Sequence, residues 1–306
     1  MYDLIIIGGG PAGAAAGVYA ARKKLKTILL TDELGGQSKV SEDIQNWIGA
    51  VSISGVELSK KLREHMEAYA EDVLEIKEGE KVVSVEKTDD GFNVTTENGT
   101  KFTAKTILSA AGSHRRKLPV PGAEEFDNKG LTYCASCDGP LFAGKDVVVV
   151  GGGNAGFETA AQLLAYTKSV TLLHRSKNFK AAPITAEKVL SNPKMKAITE
   201  VTITEVKGDK MVNAIVYKDK EGKIIELPTD GIFVEIGQIP TTGFIKDIVN
   251  MTEYNQIIID PWTQKTSTAG IWAAGDSTNI RYHQNNIAVG DAVKAIEDIY
   301  VTLHTQ

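Results

Sequence analysis

Two stretches of this chain carry the same signal at an offset of 143 residues. Leu4-Ile5-Ile6-Ile7 runs into Gly8-Gly9-Gly10-Pro11-Ala12-Gly13, and Val147-Val148-Val149-Val150 runs into Gly151-Gly152-Gly153-Asn154-Ala155-Gly156. Short apolar runs that end in glycine read as buried parallel strands. An alanine-rich helical stretch follows each loop, Ala14–Arg22 and Phe157–Tyr166, and then a second strand, Thr27–Leu30 and Ser169–Leu173. The order is β-α-β twice, with G-x-G-x-x-G at the first turn each time.

That order predicts an α/β chain with two Rossmann-like dinucleotide-binding domains. In such a loop Gly8 and Gly151 would allow the tight turn off the strand. Gly10 and Gly153 would let backbone approach a pyrophosphate, and Gly13 and Gly156 would let helix pack on strand. The free N–H groups and partial positive charge at the helix start favour the phosphates. The ribose-reading position lies about 20 residues past the last glycine. In the first unit it is Asp32, a carboxylate that can accept from ribose hydroxyls. In the second it is His174-Arg175-Ser176-Lys177, with Lys180 close by. Cations there suit a 2′-phosphate, so the first site is expected to take FAD and the second NADPH. The other reading of His174–Lys180 is a solvated basic turn.

The 306 residues suggest about two domains. A 42% hydrophobic and 24% charged composition is ordinary for a globular chain. A net charge of −5 leaves no electrostatic footprint for nucleic acid or an anionic membrane. No apolar run reaches a membrane span, and Met1-Tyr2-Asp3-Leu4 lacks the basic start of a secretory signal, so a cytoplasmic protein is expected. Between the units, Lys81–Lys87, Phe92–Thr96 and Thr100–Ala104 read as a meander, with Asn98-Gly99 as a hairpin turn. Val56–Ala70 has helical spacing. Thr202–Val206, Val212–Tyr217 and Lys223–Leu227 read as a second meander.

The chain has two cysteines, Cys134 and Cys137, in Cys134-Ala135-Ser136-Cys137-Asp138-Gly139. A pair so close cannot staple a chain of this length, which points to chemistry and a reducing compartment. Such a pair can close a small disulfide ring, and when reduced one thiol can have a depressed pKa. Asp138 follows immediately and can carry a proton to or from a leaving thiolate. A zinc site would need two further ligands, but there is no other cysteine and the five histidines lack the spacing. A buried structural pair is a further reading. The redox reading is favoured because a flavin can accept a hydride and pass two electrons to a disulfide.

With these residues in place, the chain resembles the low-molecular-weight thioredoxin reductases over essentially its whole length. It is also similar to the C-terminal module of the alkyl hydroperoxide reductase flavoprotein subunit. The resemblance rests on Gly8–Gly13, Gly35-Gly36-Gln37, Asn46, Cys134–Gly139, Gly151–Gly156 and Ala273-Ala274-Gly275-Asp276. It implies that Asp276 meets the flavin ribityl chain and that Gln284 lies near the isoalloxazine. Gly36, Gln37, Asn46, Gly112 and Gly275 would join the flavin site. It further implies a discontinuous FAD domain, 1–113 plus 247–306, with the NAD(P)H domain, 114–246, inserted and carrying the cysteines. Hinges would fall near Gly112–Leu118 and Thr242–Asp247, and domain rotation would present the disulfide and the nicotinamide to the flavin in turn. By the same likeness Cys137 is the flavin-side sulfur and Cys134 attacks thioredoxin or a similar carrier, in a homodimer. Departures bear on the coenzyme. The family stretch HRRxxxR is His174-Arg175-Ser176-Lys177-Asn178-Phe179-Lys180 here, and lysine lacks arginine's fork, so NADH use is open. His283 replaces the usual basic residue before Gln284, and Ala110-Ala111-Gly112 stands for ATG. Gly139-Pro140-Leu141-Phe142 and Gly231–Gly237 lean toward the peroxide-reductase module. That module's partner redox domain is not in this sequence, so a separate carrier is expected. A flavin electron transferase that spares disulfides is the alternative from another class.

Overall fold

The computed structural model describes residues 1–41 and 43–305. The chain divides into two compact units, Met1–His114 with Ile239–Gln306, and Arg115–Gln238. The first unit opens with β1 (Tyr2–Gly9), α1 (Pro11–Arg22), β2 (Thr27–Leu34), α2 (Gly55–Ala70), β3 (Leu74–Lys77), β4 (Val82–Thr88), β5 (Gly91–Thr96) and β6 (Lys101–Ser109). The crossing out lies in β7 (Ser113–Arg115). The second unit holds β8 (Leu131–Thr132), α3 (Ala135–Asp138), β9 (Asp146–Val150), α4 (Asn154–Leu163), β10 (Ser169–Leu173), α5 (Pro183–Leu190), β11 (Met195–Ile198), β12 (Thr202–Gly208), β13 (Val212–Lys218), β14 (Ile224–Pro228) and β15 (Gly231–Val234). The chain returns through β16 (Gln238–Pro240), which pairs with β7, to β17 (Ile271–Ala273) and α6 (Asn285–His304).

The first sheet has the order β3-β2-β1-β6-β5-β4, with β17 also on β6. Alternation along β1 sorts its side chains to two faces. Leu4 and Ile6 join the small residues of α1 and the Ala292, Ala295, Ile296 and Ile299 face of α6. Ile5 and Ile7 join Phe92, Val94, Ile107, Ile245 and Val249 on the other side. This explains why the return falls at Ile239 and not near residue 247: Ile245 and Val249 belong to the first unit's core. The expected strand Thr100–Ala104 is longer than its meander. Lys101–Ala104 pairs antiparallel with β5, and Ala104–Ser109 pairs parallel with β1.

The second unit has a wholly parallel sheet, β11-β10-β9-β15-β8, and an antiparallel β12-β13-β14. Val147–Val150 are all buried, as a central strand covered on both faces requires. The helix expected from Phe157 begins at Asn154, directly off the glycine loop.

Candidate functional site

At the first loop Gly8 has φ +113, and a Cβ there would stand 2.3 Å from the Ala110 carbonyl oxygen. A Cβ on Gly13 would stand 1.9 Å from the Gly8 oxygen, so α1 rests on the turn itself. Above Gly10 the nearest atom is Gly36 Cα at 3.9 Å. Gly10 is the N-cap of α1 and offers no side-chain cap, and Pro11 and Ala12 open the helix. The N–H groups of that first turn therefore have no side-chain partner from the cap. The end of β2 is irregular, with a register shift between Ile7 and Gly9. It leaves Asp32 exposed and sets Glu33 beside it, ion-paired with Lys39.

Other residues expected at this site converge within the same unit. A Cβ on Gly275 would lie 3.2 Å from Ala288 Cβ and 3.5 Å from Ala12 Cβ, so the turn before Asp276 packs on the first turns of α6 and α1. Asn46 donates to Gln284 Oε1 at 3.1 Å. Gln37 donates to the Ser113 carbonyl. Asp276 Oδ1 lies 3.4 Å from His283 Nδ1. The Ser277 hydroxyl is buried without a hydrogen-bond partner. Gly112 accepts from the Thr241 amide at 2.9 Å. Two residues not read from the sequence tie this region together: Asn286 donates to the Asn46 carbonyl at 2.7 Å, and Ser38 donates to Asn285 Oδ1 at 3.0 Å. No local pattern marks partners some 240 residues apart.

The second loop repeats the backbone. Gly151 has φ +128 and abuts the Glu235 oxygen, 2.1 Å from where its Cβ would be, and a Cβ on Gly156 would stand 1.9 Å from the Gly151 oxygen. Nothing lies within 4 Å of a Cβ on Gly153. Asn154 and Ala155 are exposed on the first turn of α4, and Asn154 Oδ1 accepts from the Ala182 amide at 2.9 Å.

His174 departs from the expected set of phosphate-facing cations. It is buried, its Nδ1 accepts from the Gly152 amide at 3.1 Å, and its Nε2 faces the Asn178 carbonyl at 3.1 Å. That pattern uses the tautomer with hydrogen on Nε2 and occupies both nitrogens. His174 supports the loop from below, with Phe179 beside it. Arg175, Lys177 and Lys180 are exposed, and the Lys180 amide donates to the Gly152 carbonyl at 2.8 Å.

Glu235 is not among the residues expected from the sequence, although a carboxylate inside Ile232–Ile236 is a visible anomaly. Thr159 donates to its Oε1 at 2.8 Å, and Arg115 Nη1 stands 3.9 Å from Oε2. Burial pushes its carboxyl above the usual range, while Arg115 and Thr159 pull the other way.

Cys134 and Cys137 form a disulfide with Cα atoms 5.3 Å apart. Cys134 is the N-cap of α3, and its Sγ accepts from the Cys137 amide at 3.2 Å. Both cysteines are partly exposed. The Asp138 amide donates to the Cys134 carbonyl at 3.0 Å, and the Thr132 hydroxyl donates to the Asp138 carboxylate. Burial pushes the Tyr133 phenol up to about 12, with Asp127 adding to it. Among the described residues no cluster of His, Cys, Asp and Glu is arranged to hold a metal, and no helix is long and apolar enough to cross a membrane.

Two open glycine turns, each at an uncapped helix start and one beside a strand-end carboxylate, fit dinucleotide pyrophosphates. Comparison with known proteins agrees. A family model described as pyridine nucleotide-disulphide oxidoreductase matches residues 2–292. The F subunit of alkyl hydroperoxide reductase in Pseudomonas aeruginosa is 40% identical over 298 residues, covering 96% of this chain and 57% of that protein. The corresponding Staphylococcus aureus protein is 39% identical over 295 residues, with the same shares. The chain thus spans a little over half the length of these relatives. Among solved structures, thioredoxin reductase from Streptococcus pyogenes matches with TM-score 0.91 and 35% identity, covering 100% of this chain and 99% of that one. The Giardia duodenalis thioredoxin reductase matches with TM-score 0.92 and 31% identity, covering 99% and 98%.

Proposed function

Because the chain belongs to the pyridine nucleotide-disulphide oxidoreductase family, we propose that it is an FAD-dependent NAD(P)H:disulfide reductase that serves thioredoxin or a thioredoxin-like carrier. The observation that carries this reading is the Cys134–Cys137 disulfide in a chain with two open dinucleotide loops. FAD held at Gly8–Gly13 supplies a two-electron relay between a reduced nicotinamide and that disulfide. The first unit is the FAD domain, with Asp32 on the ribose side and Gly36, Gln37, Asn46, Asp276 and Gln284 toward the flavin. The second unit binds the nicotinamide coenzyme at Gly151–Gly156. Arg175, Lys177 and Lys180 supply the charge for a 2′-phosphate. Once reduced, Cys134 attacks the carrier's disulfide and Cys137 resolves the mixed disulfide, with Asp138 moving the proton.

Replacing either cysteine with serine is expected to abolish carrier reduction and leave flavin bleaching by the coenzyme intact. Carrier turnover by the Cys134→Ser protein would overturn the assignment. Dithionite titration separates this from a plain electron transferase: about four electrons per chain for a flavin plus a disulfide, about two for a flavin alone.

The likeness to the alkyl hydroperoxide reductase protein at 40% identity favours a second reading of the carrier, a peroxiredoxin-linked redox protein with NADH as the donor. Flavin reduction rates with NADPH and NADH separate the coenzymes. Parallel assays with thioredoxin and with a peroxiredoxin-linked carrier separate the partners. A homodimer belongs to the same proposal and is checked by sedimentation.

A further inference from the structure

Thr132 has no part in the reading above. It ends β8, two residues before Cys134, and is 6% exposed. β8 runs parallel to β15 with Thr132 opposite Phe233, so its backbone is fixed by the sheet. The residue that receives its hydroxyl hydrogen bond, Asp138, follows the second sulfur on the disulfide turn.

Asp138 is held from other sides as well. Its amide closes onto the Cys134 carbonyl at 3.0 Å. The next residue, Gly139, is buried, and a Cβ there would stand 2.2 Å from the Tyr166 hydroxyl. The backbone on both sides of Asp138 is therefore placed by contacts, and the carboxylate is oriented by a donor on the sheet.

We propose that Thr132 is a positioning residue: its hydroxyl holds the Asp138 carboxylate in one orientation on the disulfide turn, where it serves as the base for Cys137. This rests on the redox reading of the pair. In the step it serves, the Cys134 thiolate attacks the carrier disulfide. One carrier S–S bond breaks, a mixed disulfide forms, and the released carrier thiolate takes a proton from solvent. Asp138 takes the proton of Cys137, and the Cys137 sulfur attacks Cys134. The mixed disulfide breaks, the Cys134–Cys137 bond re-forms, and the second carrier thiolate leaves with the proton Asp138 held. Two electrons and two protons reach the carrier.

A donor to a carboxylate favours the ionised form, so its loss raises the carboxyl's midpoint. Thr132→Val keeps the shape and removes the donor, and Thr132→Ser keeps the donor. The readout is the Asp138 titration in the reduced protein, followed by carbon-13 NMR of labelled aspartate. The Asp138 resonance is identified by its loss in Asp138→Asn. The valine variant is expected to raise the midpoint by about 0.5–1 pH unit and the serine variant to restore it. The acid limb of carrier reduction should move up by the same amount. In the Asp138→Asn background, Thr132→Val should add no further loss. An unmoved midpoint, equal slowing by valine and serine, or added loss in the Asp138→Asn background would each overturn the role. If the wild-type chain reduced no disulfide acceptor, the redox reading would fall, while the titration would still decide the Thr132–Asp138 contact.

Discussion

The two glycine loops can be compared atom by atom. In each, the last glycine is pressed onto the oxygen of the first, with 1.9 Å left for a Cβ, and the middle glycine is open above. The surroundings diverge. The first loop sits against Ala110 and meets Thr31, Glu33 and Leu34 beside Gly9. The second sits against Glu235 and meets His174 and Phe179 beside Gly152. Backbone geometry sets where a pyrophosphate can rest, and so recurs. The neighbours set which dinucleotide is accepted and what is buried to hold the turn, and so differ.

The strongest way to break this comparison is to fill one loop at a time. Gly13→Val is expected to abolish flavin binding and leave the purified protein colourless. Gly156→Val should stay yellow, accept electrons from dithionite, and lose reduction by NADPH and NADH alike. Absorbance spectra check both, and a yellow Gly13→Val protein would reverse the assignment of the loops. A smaller effect tests the charges at the second loop. Arg175→Ala should raise the NADPH KM about tenfold and leave NADH nearly unchanged, the scale of one hydrogen bond to a charged phosphate. Equal KM changes for both coenzymes would make Arg175 a surface charge.

The smallest effect concerns Glu235, which has no counterpart at the first loop. Its folded carboxyl titrates above the unfolded one. Between those two points the native chain holds the proton and the unfolded chain has lost it. Stability therefore falls as pH rises from the ordinary carboxyl range through the raised midpoint. Glu235→Gln, which can still accept from Thr159, should remove that fall. Denaturant titrations should show the variant more stable at neutral pH and matched to wild type in acid. A constant difference at all pH values would point to packing.

What the sequence disclosed follows the same division. Both β-α-β units were legible because strand burial, glycine spacing and helix entry are local, and Ser169–Leu173 is reproduced to the residue. The cysteine pair was legible for the same reason. His174 was misplaced among the phosphate-facing cations because a histidine beside arginine and lysine looks like part of a charge cluster. Only tertiary structure shows its ring under Gly152. Asn285 and Asn286 had no signal, since their partners Ser38 and Asn46 lie at the far end of the chain. The β6 extension was hidden because one strand serves an antiparallel and a parallel neighbour in turn.

The insertion of Arg115–Gln238 has a consequence for the order of synthesis. β6 gains its β17 neighbour, and α1 its α6 cover, from residues synthesised after the inserted unit. The alanine face of α1 and one edge of β6 must wait uncovered while an entire second unit is made. For that interval the nascent chain presents an open strand edge and an apolar helix face, the features that recruit chaperones or stray partners. Loss of α6 would make that transient state permanent.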